Sequence, residues 1–68
     1  MIQLTRIVWP VLFNPRESRT FAVLVNPDLI TYVEAGEDGE NATQLHFVGG
    51  DMIYVVESLT TVEERARR

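Results

Sequence analysis

Few side chains in this 68-residue chain could do chemistry. His46 is the single histidine, and there is no cysteine. Thiolate nucleophiles, disulfides and a dedicated zinc site are therefore not expected. Ser18 and Ser58 have no base beside them in the sequence, so neither reads as an activated nucleophile. Glu37, Asp38 and Glu40 crowd around Gly39, but their spacing is not that of a calcium loop, and a solvated hairpin tip explains them better. Gly49-Gly50 lies between two strand-like runs rather than between a strand and a helix, which is where a phosphate cradle would sit. Asn41-Ala42-Thr43 matches a glycosylation acceptor, a match without meaning unless the chain is secreted. These residues give no catalytic set, no cofactor site and no metal site, and an enzyme is not expected. His46 reads as a surface or interface residue.

The elements that would position such residues must form within a short chain. Sixty-eight residues suffice for a modest core, which is usually helped by a metal, a disulfide or association. With the first two excluded and 46% hydrophobic residues, a protein partner or a homo-oligomer is expected. The net charge is −4, and all six basic residues are arginine. Three of them (Arg65, Arg67, Arg68) fall at the end beside Glu63 and Glu64, which argues against the basic face that a nucleic-acid binder needs. No run approaches the apolar length of a membrane span, and the opening residues do not have the pattern of a signal peptide.

The chain reads as one α+β domain over residues 1–68, mostly β. We expect a five-stranded antiparallel meander or partly open barrel with one C-terminal helix. Strands are expected at about 2–8, 21–25, 29–34, 43–48 and 52–57, and a helix at about 59–67, from period-two alternation and β-branched content followed by helical spacing. Along the first strand, Ile2 and Leu4 oppose Gln3, Thr5 and Arg6. Phe21 to Val25 is apolar on both faces, as for a central or doubly covered strand. Asn26-Pro27-Asp28 forms a turn, with Pro27 fixing φ and Asp28 placed to cap the next amides. Gly49 and Gly50 supply positive φ for a hairpin. Ser58 or Thr60 caps the helix, Thr60 to Glu63 has capping-box spacing, and Leu59, Val62 and Ala66 share its inner face. The segment Trp9 to Phe13, bracketed by Pro10 and Pro15, is too apolar for a solvated loop. It either fills the open end of the sheet or docks on a partner. Trp9, Leu12, Phe13, Tyr32, His46 and Tyr54 are the candidate interaction residues.

With Met1-Ile2-Gln3-Leu4, Val25-Asn26-Pro27-Asp28-Leu29-Ile30, Glu34, Gly50, Val55-Val56-Glu57-Ser58 and Val62 in place, the chain resembles the FlbD (SwrD) family of small flagellar and swarming-motility proteins. The resemblance spans nearly the whole chain. Its stretch from Trp9 to Thr20 is longer and richer in proline and aromatics than the family's N-terminal hairpin. The resemblance implies a cytoplasmic, non-enzymatic bacterial accessory of the flagellar motor that acts by protein contact. Two other classes stay open. One is an uncharacterised or phage-encoded β module that assembles with itself or a partner. The other is a nucleic-acid-binding regulator, because Met1 to Arg6 is similar to the opening of the carbon-storage regulator family.

Overall fold

The computed structural model describes residues 1–9, 18–36 and 42–67. Five strands and one helix follow in order: β1 (Ile2–Val8), β2 (Arg19–Val25), β3 (Ile30–Ala35), β4 (Thr43–Phe47), β5 (Met52–Val55) and α1 (Leu59–Ala66). Every ladder is antiparallel, and the strands lie side by side as β2-β1-β5-β4-β3. The expected antiparallel α+β architecture is thus present, mostly β, as one open sheet with a C-terminal helix. The pairing is a meander rotated in order. The strands flanking Asn26-Pro27-Asp28 are not bonded to each other and form the two edges of the sheet. Instead β1 and β5, far apart in sequence, are neighbours.

That order forces the sheet to roll. Across the ladders Val25 pairs Ile2, Arg6 pairs Val55, Val55 pairs Thr43 and Thr43 pairs Ala35. On a flat sheet Val25 and Ile30 would sit four strand spacings apart, about 19 Å, and be offset along the strands by a further eight residues or so, about 26 Å. The four intervening residues reach at most roughly 18 Å when extended, and less here, because Pro27–Leu29 forms a single 3-10 turn. Only a coiled, strongly staggered sheet brings the two ends together, the geometry of an incompletely closed barrel.

The turn is built locally. Asn26 Oδ1 accepts from the Asp28 amide at 3.0 Å, Pro27 occupies the first helical position, and the Leu29 amide donates to Asn26 O at 3.1 Å. Asn26, not Asp28, is the capping residue, because its side chain reaches forward to an orphan amide. At the β4–β5 turn, Gly49 and Gly50 take φ of 97° and 94°, a region in which a β-carbon would be strained.

Period-two alternation sorts the faces. Leu4, Val25, Leu45 and Val55, one each from β1, β2, β4 and β5, join Val62 of α1 in the buried core. Ile30 and Val33 contribute from β3, with Ile2, Val23, Phe47 and Ile53 packed around. α1 lies against β1 and β3, capped by Ser58, whose Oγ accepts from the Thr61 amide at 3.2 Å and donates to Thr61 Oγ1 at 3.0 Å. Thr60 is already inside the helix, so the Thr60–Glu63 capping box does not form.

Further expectations are corrected. β2 is an edge strand, not a central one. It begins at Arg19, and Phe21 and Leu24 are exposed. Leu29 belongs to the 3-10 turn rather than to β3, and β5 stops at Val55, where Val56-Glu57 bends toward the helix. Arg6 shares the inner face with Leu4, since its ladder partners Phe21 and Val55 lie an even number of residues from Val23 and Val25, and from Ile53, on the same face of their strands. Its guanidinium carbon lies 5.9 Å from the Phe21 ring centroid.

Because the core is so small, single truncations should be severe. Leu45→Ala, at a fully buried position, is expected to cost about 2–5 kcal/mol. A domain of this length holds roughly 3–10 kcal/mol in all. Urea denaturation followed by circular dichroism checks this; a loss below 1 kcal/mol would show that the site is not packed as described.

Candidate functional site

The outer face of the sheet gathers most of the candidate interaction residues. Ladder partners point to the same side, so Ile7 with Tyr54, Tyr54 with Gln44, Gln44 with Glu34, His46 with Met52 and His46 with Tyr32 form one band across β1, β5, β4 and β3. Trp9, just beyond β1, completes it. Its ring meets Tyr54 edge to face, with centroids 5.2 Å apart and planes at 85°. At the other end Tyr32 and His46 stack face to face at 4.1 Å and 9°. Of the six candidates, Trp9, Tyr54, His46 and Tyr32 are thus brought onto one face. Leu12 and Phe13 lie outside the described residues, as do Asp38-Gly39 and Asn41.

The band is amphipathic. Tyr32 is 52% exposed, Met52 is partly exposed and Glu34 lies at the rim. His46 Nε2 sits 3.8 Å from Glu34 Oε1, beyond hydrogen-bond distance, and this buried nitrogen has no bonded partner among the described residues. Here β3 carries a bulge between Ile30 and Tyr32, and the Thr31 hydroxyl donates to the His46 carbonyl at 3.1 Å. The bulge re-aims Tyr32 so that its ring covers the imidazole. Stacked and edge-to-face rings lose little freedom on contact and offer broad apolar area with polar tips, the composition of protein-binding surfaces.

A second constellation escaped the sequence reading. Glu57, at the bend after β5, receives the Thr5 amide on Oε1 at 2.9 Å and Arg65 Nη1 on Oε2 at 3.3 Å. The same Arg65 nitrogen donates to the Gln3 carbonyl at 2.9 Å, the Val56 amide donates to Thr5 O at 2.8 Å, and the buried Thr43 hydroxyl donates to Glu57 O at 2.7 Å. β5 pairs with β1 only from Arg6 onward, so this carboxylate clamp replaces the ladder along Gln3 to Thr5. Burial pushes the Glu57 carboxyl up. The Thr5 amide, its own amide, the Thr5 hydroxyl and Arg65 outweigh that and hold it below the usual glutamate range. An open groove of about 580 Å³ runs between Met1–Thr5 and the Glu57–Arg65 pair. Both of these charged side chains are engaged within the fold. The clamp was not legible because Thr5 and Glu57 lie 52 residues apart. The only sequence signal was a glutamate placed just before a helix cap.

Among the described residues no cluster of His, Cys, Asp or Glu could hold a metal ion, and no helix is long and apolar enough to cross a membrane. Compared with known proteins, the chain matches no family model, no curated protein and no solved structure.

The clamp carries a pH signature. A carboxyl whose folded pKa is depressed contributes its full stability above the unfolded pKa and loses it as pH falls through the folded one. Glu57→Gln should cost about 1–2 kcal/mol at pH 7. The gap to wild type should narrow as pH falls below the ordinary glutamate pKa of about 4.3 and through the lower folded one. Paired denaturation curves at pH 7 and pH 3 measure it; an unchanged gap at both values would refute the assignment.

Proposed function

We propose that this chain is a non-enzymatic protein-interaction module that docks a protein partner on the outer sheet face from Trp9 to Tyr32. The observation that supports it is the arrangement of Trp9, Tyr54, His46 and Tyr32 in one band, away from the core that holds the fold. Clustered aromatics of this kind supply most of the energy at protein interfaces. A nucleic-acid role fits the face less well. Glu34 borders the band, and no arginine lies among its ladder pairs, so phosphate would meet no counter-charge. The finer proposal, a bacterial flagellar-motility accessory in the cytoplasm, rests on the sequence resemblance alone.

Tyr32→Ser tests the face, because this ring is half exposed and contributes nothing to the buried core. The variant should fold with a denaturation midpoint close to wild type. It should lose most capture of the cross-linked partner from its host, by tenfold or more if Tyr32 is an anchor. Undiminished capture by a folded Tyr32→Ser protein would refute the docking face. Deleting the gene in its host and scoring swarming tests the finer proposal; normal swarming would sink it.

A further inference from the structure

The sheet has two edges, and they are finished differently. β3 is interrupted by its bulge, carries Glu34 and is followed by Gly36, devices that blunt an edge against pairing. β2 has no bulge, and its one charged residue, Arg19, stands at its very start. Its register to β1 runs unbroken over seven residues, from Val25 opposite Ile2 to Arg19 opposite Val8. From Thr20 to Val25 it contains no charge, no proline and no glycine.

The outward bonding groups of β2 follow from the clamp. Both the amide and the carbonyl of Thr5 turn away from β2, toward Glu57 and Val56. Ala22, opposite Thr5, is therefore a non-bonded partner, and its own amide and carbonyl point off the free edge. By the period of two the same holds for Thr20 and Leu24. All three residues are exposed, Leu24 by 67%.

We propose that β2 pairs with β2 of a second copy of this chain, antiparallel, about a two-fold axis through Ala22. The spacing is self-complementary. Ala22 meets Ala22, and Thr20 meets Leu24. The bonding groups of Thr20, Ala22 and Leu24 on each copy are satisfied by those of the other. Charge fits as well. β2 begins at a basic residue, Arg19, and leads into a turn holding an acidic one, Asp28. Both are exposed, and neither is in an ion pair among the described residues. The antiparallel arrangement sets Arg19 of each copy beside the Asn26–Asp28 turn of the other, twice over. This pairing does not rest on the aromatic-face reading, and its test reads mass rather than partner capture.

The test is light scattering during size-exclusion chromatography of the full chain, with Ala22→Lys and Ala22→Glu alone and mixed. Ala22 is exposed and its inner neighbours are untouched, so both variants should keep the wild-type circular dichroism spectrum. Wild type should run at twice the 7.8 kDa chain mass. Each variant alone should run as a monomer, because like charges directly opposite each other repel across the axis. The equimolar mixture should recover the dimer, with opposite charges now paired. A wild type that stays monomeric up to about 1 mM, a dimer indifferent to Ala22→Lys, or a mixture that does not reassociate would each overturn the proposal.

Discussion

The four residues between Val25 and Ile30 set the shape of the molecule. They must join the two outermost strands of a five-stranded sheet, and they are too few to cross it flat. The sheet therefore coils until its edges approach, and coiling encloses an interior. Leu4, Val25, Leu45 and Val55 can be fully or nearly buried in so short a chain because each projects into that shared interior from a different strand. Asn26 and Pro27 make the link possible by fixing a compact turn where an extended segment would have loosened the roll.

Rolling leaves two mismatches, and each is met by side chains. β1 outruns β5 at its N-terminal half, and Glu57 with Arg65 supplies the missing bonds there. The interior is open at the end that β3 and β5 do not reach, and Val62 of α1 enters it. The helix is thus more than a lid. Its arginine holds the backbone of β1 while its valine fills the core. The exposed Arg67–Glu63 pair on the same helix, at 2.6 Å, adds little by comparison, because water screens it. The aromatic rings collect on the opposite, outer face, where Tyr32 is exposed and Trp9, His46 and Tyr54 are half-buried.

Local rules served well for whatever depends on local spacing. Alternation and β-branched content located all five strands, glycine and proline located the turns at Asn26–Asp28 and Gly49–Gly50, and of the two caps expected for α1 the structure uses Ser58. The same rules placed Tyr54 and His46 on strands and singled out Trp9 and Tyr32 as candidates. What they could not supply was adjacency. Nothing in the residues around Phe21 to Val25 distinguishes an edge strand from a central one, since that depends on β1 choosing β5 as its second neighbour. Arg6 was misread for a related reason. A charged residue in an alternating strand is assigned to the wet face by composition, yet the register fixed by Leu4 turns it inward beneath Phe21. The clamp is the extreme case, because it joins residues more than fifty positions apart.

The sequence separation across the clamp also bears on how the chain reaches this state. β1 with β2, and β3 with β4 and β5, are neighbours in sequence and can zip together early, whereas β1 and β5 must find each other across some fifty residues. Loop closure of that kind is an entropic toll met late on the route to the native state. The Glu57–Thr5 bond is then a closing latch rather than a nucleus. Weakening it should speed unfolding and leave the refolding rate nearly unchanged, a distinction that the two limbs of a chevron plot would reveal and that a slowed refolding limb would contradict.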